Sequence, residues 1–322
     1  MLTVSAEAER WPLAEAFVIS RGSKTEAHVV TATVQANGVT GRGECVPYAR
    51  YGETVDTVLA SIAGWTPSRD RQALLSALPA GSARNAIDCA LWDLEAKLSS
   101  IPAIERAGFT ALSPVETCYT LSLGTPDSMA AKAASLPQLG LLKLKLGGRG
   151  DPERMMAVRQ ARPDARLVAD ANEAWTADML EPYLAAAKAA GFELIEQPLP
   201  TSGDDALKDV AHCVPICADE SVHTRRDLTA IGGRYDAVNI KLDKAGGLTE
   251  ALTMAHEARG AGLKIMCGCM VATSLAMVPA LIVAQLADWV DLDGPLLLAR
   301  DRAHGLKITN GLITPPEPAL WG

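Results

Sequence analysis

The sequence predicts an α/β fold: a modified (β/α) TIM-like barrel with an α+β capping domain. Three observations carry this. Leu142 to Leu146 alternates leucine with lysine and stops at Gly147-Gly148, which is strand periodicity followed by a turn. Four further apolar runs each close on a charged residue, at Asp170, Glu196, Asp219 and Lys241. The steps from Lys145 through these positions are 25, 26, 23 and 22 residues. One strand, one loop and one crossover helix need roughly thirty residues or slightly fewer, so each step is one βα unit. The charged residues therefore share one end of consecutive parallel strands. In a closed barrel that end is the active face. An open doubly wound sheet would gather such residues only near its switch point, so five in succession point to the closed barrel.

Each element follows in chain order. Residues 1–50 read as β: Val29 to Val34 is a strand, Asn37-Gly38 is a hairpin signal, and Val39 to Glu44 continues the sheet. Thr54 to Ile62 and Gly81 to Leu98 read as helices. The second has an apolar stripe of Ala83, Ile87, Ala90, Leu91, Leu94 and Leu98, with Ser82 as its cap. Strands followed by helices without crossovers define a separate domain, over 1–111. Val115 to Leu121 lies one unit before Lys145 and is the first barrel strand. Helices are expected over Asp127 to Leu139, Asp151 to Ala161, Ala177 to Ala190, Asp204 to Ala211, Arg226 to Ile231 and Leu248 to Ala261. Ile265-Met266-Cys267 fits the seventh strand, Ser274 to Ala287 a buried helix, and Val290 the eighth strand. The barrel then spans 112–297, which is short against the roughly 250 residues of a full barrel, so one unit, the last, is expected to be incomplete. Residues 298–322 are expected to return to the capping domain.

Composition narrows the function. A net charge of −8 argues against a nucleic-acid surface. The uncharged stretch between Lys264 and Asp288 is interrupted by Gly268, Thr273, Ser274, Pro279 and Gln285, and reads as a strand and a buried helix, not a membrane span. Seven cysteines without a paired metal spacing read as reduced thiols. With no signal-peptide pattern over Met1 to Leu13, the expected location is cytoplasmic.

Asp170, Glu196 and Asp219 bring three carboxylates to adjacent strand ends. Converging carboxylates repel unless a cation joins them, and all-oxygen ligation suits Mg²⁺. Lys145 and Lys241 stand on the strands either side of the three. That placement suits proton removal from a carbon next to a metal-held carboxylate, with one lysine on each face: a 1,1-proton transfer. Lys143 shares a strand face with Lys145. Its like charge is expected to help keep Lys145 unprotonated.

The ordered set Lys143-Leu144-Lys145, Asp170-Ala171-Asn172, Glu196-Gln197-Pro198, Ala218-Asp219-Glu220-Ser221 and Asn239-Ile240-Lys241-Leu242-Asp243 resembles the enolase superfamily, muconate-lactonising subgroup. Within it the chain is most similar to the L-Ala-D/L-Glu epimerases, which invert the glutamyl α-carbon of a peptidoglycan dipeptide through an enediolate. The resemblance implies a small dipeptide substrate. It also implies that Asp291 and Asp293, in Asp291-Leu292-Asp293-Gly294, hold the dipeptide ammonium. Arg21 would meet the glutamyl side-chain carboxylate and Thr120 would lie near the substrate carboxylate. Cys267-Gly268-Cys269-Met270 is assigned a shaping role. Other readings stay open: a different dipeptide, or a cycloisomerase or o-succinylbenzoate synthase, which would need no ammonium-binding acids. Outside the superfamily stand a non-catalytic binding barrel and a nicotinamide dehydrogenase, but Gly147-Gly148-Arg149-Gly150 lacks the G-x-G-x-x-G order. The oligomeric state is not readable.

Overall fold

The structure is a computed structural model that describes residues 2–322. The chain opens on a three-stranded antiparallel sheet, β1 (Thr3–Ile19), β2 (Gly22–Ala36) and β3 (Val39–Cys45). Asn37 and Gly38 both take positive φ, 53° and 77°, as a two-residue hairpin between twisted strands requires. Helices α1 (Val55–Gly64), α2 (Arg71–Ala77), α3 (Ser82–Ser99) and α4 (Ala103–Arg106) follow. The stripe of α3 packs on β2 and β3 in one apolar cluster with Val30, Ala32 and Val34. The approach is close because β3 carries Gly41 and Gly43: a Cβ on either would stand 2.2 Å from a helix carbonyl oxygen, of Ala90 or Ala86. Ser82 is not the cap of α3 but its first residue. The Glu53 carboxylate accepts the Ser82 amide at 2.8 Å and supplies the capping charge from a loop.

The expected first barrel strand splits in two. β4 (Val115–Glu116) leaves the barrel, and only β5 (Tyr119–Leu121) enters it. The barrel then runs α5 (Pro126–Ala134), β6 (Leu141–Lys145), α6 (Asp151–Ala161), β7 (Arg166–Asp170), α7 (Ala177–Ala189), β8 (Phe192–Glu196), β9 (Ile216–Ala218), β10 (Ala237–Lys241), α8 (Leu242–Ala245), α9 (Leu248–Gly260), β11 (Lys264–Gly268), α10 (Ser274–Ala284), β12 (Trp289–Asp291) and α11 (Gly294–Leu297). Strands β5 to β12 form one eight-stranded parallel sheet in chain order. Its two edges meet where the Cys118 amide donates to the Val290 carbonyl at 2.8 Å. The crossovers expected at 204–211 and 226–231 are short 3₁₀ turns, Asp204–Asp209 and Arg225–Asp227. The Asp204 side chain is held by Ser221, Tyr235 and Arg234, which fixes the first of these segments as a turn against its neighbours. The last unit ends in the four-residue α11.

The C-terminal segment touches both bodies. Its hairpin, β13 (Ile308–Thr309) and β14 (Leu312–Ile313), pairs with β4 under the barrel. Its end reaches the cap: Trp321 Nε1 donates to the Cys89 carbonyl at 3.0 Å.

Side chains alternate along β6. Leu142 and Leu144 face the surrounding helices, while Leu141, Lys143 and Lys145 face the barrel axis. The lower interior is an apolar plug of Cys118, Leu141, Val168, Leu194, Cys217, Ala237, Met266 and Trp289. The charged residues form the layers above it. Among the described residues no helix is long and apolar enough to cross a membrane, and the seven cysteines are unpaired.

Candidate active site

Strand register builds the centre. Lys145 pairs across the ladder with Asp170, and Asp170 with Glu196. Asp170, Glu196 and Asp219 are fully buried, and each offers a carboxylate oxygen within 4.8 Å of the others. Lys145 Nζ lies 2.6 Å from Asp170 Oδ2, and Lys241 Nζ lies 2.6 Å from Asp219 Oδ2. The two ammonium groups thus sit on the two outer carboxylates, one at each end of the row. Both lysines line one cavity of about 360 Å³ beneath the cap. Burial opposes ionisation of Asp170, but Lys145 and Lys143 outweigh it and hold the carboxyl down at about 2. Burial likewise opposes charge on Asp219, yet Lys241 and Lys244 hold it well below the usual range. Burial and the charge on Asp170 push Glu196 the other way, upward.

This donor set fits a small hard dication. It is all oxygen, buried and carboxylate-rich. Glu196 Oε2 is the sharpest sign: Lys143 Nζ stands 2.6 Å away but off the hydrogen-bond direction, so this buried oxygen has no hydrogen-bond donor among the described residues. The other groups around the row hold its members in place. Asn172 donates to Asp170 from its amide at 2.8 Å and its side chain at 3.0 Å. Asn239 Nδ2 donates to Glu196 Oε1 at 2.7 Å. It can do so because residue 268 is glycine; a Cβ there would stand 2.4 Å from Asn239 Oδ1. Gln197 Oε1 accepts the amides of Asp219 and Ser221 at 2.9 and 3.1 Å. Lys244 Nζ donates to Asp219 Oδ1 at 2.6 Å.

Lys143 differs from the expectation. Asp170 Oδ2 stands between the two lysines, 3.5 Å from Lys143 and 2.6 Å from Lys145, so their mutual repulsion is intercepted. Lys143 instead bonds Asp291 Oδ2 at 2.7 Å. Burial disfavours its charge, but Asp291, Glu196 and Asp170 together hold the ammonium protonated, well above the usual lysine range. Asp291 is therefore already neutralised within the barrel. Asp293 is not: its Oδ2 accepts only the Thr120 amide, at 2.6 Å, among the described polar partners. Burial and Asp291 push its carboxyl up to about 7, against hydrogen bonding from Thr120. Thr120, Asp291 and Asp293 all line the cavity, as do Cys269 and Met270.

The cap closes the other side. Arg21 lines the cavity but is heavily committed. Its Nη2 lies 2.8 Å from Glu220 Oε1, and its Nη1 donates to the Asn172 carbonyl at 2.9 Å. The Tyr48–Tyr51 loop points inward, with Tyr51 edge-on to His223 at 4.4 Å. Glu173, at a left-handed φ of 66°, joins the pieces: its carboxylate takes Arg50 at 2.9 and 3.0 Å and Arg21 at 3.3 Å. Sequence reasoning missed Lys24. It lines the same cavity from β2, has no carboxylate within salt-bridge distance among the described residues, and faces the Tyr48 ring at 5.2 Å. The protein around it, with Arg21 and Lys145, holds its ammonium below the ordinary lysine value. No strand spacing signalled it: Lys24 stands three residues from Arg21, an odd interval across a turn, and nothing in the sequence showed which way that turn faces.

An eight-stranded barrel with carboxylates on three strand ends, a lysine at each flank and an α+β cap defines an enzyme of the enolase superfamily. Comparison agrees over nearly the whole chain. Residues 1–108 match the mandelate racemase / muconate lactonizing enzyme N-terminal domain, and residues 128–319 match the enolase C-terminal domain-like family. The chain belongs to the mandelate racemase / muconate lactonizing enzyme family. It is 48% identical to L-Ala-D/L-Glu epimerase of Escherichia coli strain K12, over 97% of this chain and 99% of that protein. It is 43% identical to N-acetyl-D-glutamate racemase of a Pseudoalteromonas species, over 88% and 91%. Among solved structures, an enolase family member from Agrobacterium tumefaciens with homology to dipeptide epimerases, bound to sodium and L-Ala-L-Glu, superposes with a TM-score of 0.96. That match has 50% identity and covers 100% of both chains.

Proposed function

We propose that this protein is an L-Ala-D/L-Glu epimerase that inverts the glutamyl α-carbon by two-base 1,1-proton transfer. The observation that carries this reading is the pair of lysines at opposite ends of one carboxylate row, each 2.6 Å from an outer carboxylate and both open to one cavity. Asp170, Glu196 and Asp219 would hold Mg²⁺. Bound there, the ion would supply positive charge against the charge that develops on the substrate carboxylate. Lys145 and Lys241 take the α-proton from one face and return one to the other. Lys143, fixed as an ammonium by Asp291, Glu196 and Asp170, contributes a permanent positive charge beside the substrate carboxylate and Thr120. Asp293, flanked by Asp291, receives the dipeptide ammonium. The glutamyl side-chain carboxylate meets the cap cations, Lys24 as the unpaired one and Arg21 beside it. A role in murein peptide recycling in the cytoplasm suits this substrate and the reduced cysteines.

Exchange in D₂O tests the mechanism. Lys145→Ala should abolish epimerisation yet retain α-proton exchange from one glutamyl stereoisomer, and Lys241→Ala from the other. The net reaction should fall by more than the roughly 10²–10⁴-fold typical of losing one general acid or base, because inversion needs both faces. Near wild-type epimerisation by either variant would refute the two-lysine reading.

A second reading, racemisation of N-acetylglutamate, is favoured by one observation: Lys143 already neutralises Asp291, and the Asp293 carboxyl, pushed up to about 7, can in its neutral form donate to an acyl oxygen in place of pairing with an ammonium. Parallel assays with L-Ala-L-Glu and N-acetyl-L-glutamate separate the two.

A further inference from the structure

A second cavity, of about 250 Å³, lies between β1 of the cap and the first unit of the barrel. Phe17, Thr120 and Leu297 line both cavities, so the two spaces meet at a partition one side chain thick. The Thr120 amide holds Asp293 Oδ2 at 2.6 Å, and Leu297 ends the short helix that Asp293 begins. The partition therefore stands on the side of the main cavity assigned to the ammonium. This step rests on the dipeptide reading above. In a dipeptide the ammonium and the N-terminal side chain leave the same carbon. A substrate that places its ammonium on Asp293 therefore brings the carbon carrying its N-terminal side chain to the end of the main cavity where Thr120, one of the partition residues, stands.

We infer that the second cavity is the subsite for the side chain of the substrate's N-terminal residue, and that it takes long, unbranched, uncharged side chains such as methionine. Its inner wall is apolar, with Leu121, Leu123, Met129 and Leu296. Its two charged groups, Glu15 and Lys132, neutralise each other at 2.8 Å on the outer rim, so neither is free for a charged side chain. A flexible unbranched chain can pass between Thr120 and Leu297. A β-branched one, stiff at χ1, meets them directly.

The test compares L-Met-L-Glu with L-Ala-L-Glu. The wild-type protein should epimerise both with kcat/KM values within about tenfold, because the three further heavy atoms of methionine enter a space already formed. Ser128 and Ala16 line the second cavity alone, from α5 and from β1. Ser128→Phe and Ala16→Phe each fill it, and each should lower kcat/KM for L-Met-L-Glu at least about tenfold relative to L-Ala-L-Glu. Phe17 is unsuited to the test because its ring stands 5.9 Å from Lys145 Nζ. Equal losses on both substrates, or a wild-type protein that accepts L-Ala-L-Glu and rejects L-Met-L-Glu, would overturn the subsite and leave the epimerase reading standing. Inertness toward L-Ala-L-Glu would overturn the epimerase reading, and the subsite with it. The wild-type ratio decides the question even where neither variant folds.

Discussion

At the residue scale, each lysine on the strand ends of the centre has a carboxylate partner inside the barrel. Lys143 is matched by Asp291, Lys145 by Asp170, and Lys241 by Asp219. Glu196, whose free oxygen faces the place assigned to the metal, is left over, and so are Asp293 on the barrel side and Lys24 on the cap side of one cavity; these last two suit the ammonium and the side-chain carboxylate of a glutamyl dipeptide. Asp293 then predicts a pH dependence. A carboxyl raised to about 7 is charged above that pH and neutral below it. Only the charged form pairs with an ammonium, so kcat/KM for L-Ala-L-Glu should fall as pH drops through about 7, approaching tenfold per unit. In Asp293→Asn this acid limb should flatten while the plateau drops. An unchanged acid limb would assign it to another group. Lys24 is tested by Lys24→Met, which should damage L-Ala-L-Glu more than a dipeptide with a neutral second residue. Because Lys24 is exposed, the loss should be modest, about 1 kcal/mol. Equal losses would leave Arg21 as the sole recognition group.

At the element scale, two cap loops and one barrel strand meet on a single carboxylate. Glu173 follows β7 three residues after Asp170 and takes Arg21 from the β1–β2 turn and Arg50 from the 46–53 loop. The same loop is fastened at its base, where Asp243 accepts the Val46 amide at 3.0 Å and Ser82 Oγ donates to the Val46 carbonyl at 2.8 Å. Its tip is therefore clasped by Glu173, and its base is held separately by Asp243 and Ser82. Glu173→Gln should free the tip alone. Hydrogen exchange should quicken at residues 48–52 and stay unchanged in α3, and KM should rise more than kcat falls. Glu173→Asp should recover part of the loss. If exchange rises through the whole cap, Glu173 supports the cap's fold and not its closure. The strain at Glu173, a non-glycine residue at positive φ, is the local cost of aiming its carboxylate upward at the cap.

At the scale of the whole molecule, cap, barrel and C-terminal segment are joined by one buried ionic cluster. Arg302 Nη2 lies 2.6 Å from both Glu44 of β3 and Glu9 of β1, and its Nε donates to Thr273 Oγ1, the cap of α10, at 2.8 Å. Burial pushes Glu44 up, against Arg302, which lowers it. Arg302→Leu should destabilise the protein by about 3–5 kcal/mol, because it strands a buried carboxylate. The sign with pH follows. Without Arg302 the native state favours protonated Glu44, so the loss should be full at high pH and shrink as pH falls through the raised native value. Thermal unfolding at about pH 8 and about pH 5.5 measures this, and a loss independent of pH would place the effect elsewhere in the cluster.

The sequence by itself determined the repeating parts. Strand alternation and a step of 22 to 26 residues are local consequences of the two-residue period of a strand and the length of a crossover, so Lys143, Lys145, Asp170, Glu196, Asp219 and Lys241 were legible as one strand-end set. The sheet order β5 to β12 follows from the same rule. Pairing was not legible, because it depends on which of several like-charged neighbours comes within about 3 Å, and that is set by register and barrel shear. Only the tertiary structure gave Lys143 to Asp291 instead of leaving it to repel Lys145. Only it set Lys24 at the cavity and tied Arg21 to Glu220. It also split the first strand at Thr117-Cys118, where the chain leaves the C-terminal hairpin and joins the barrel, and it shortened two crossovers to 3₁₀ turns. Each of these is a contact between residues far apart in the chain, and a periodic pattern carries no information about which distant group will arrive opposite.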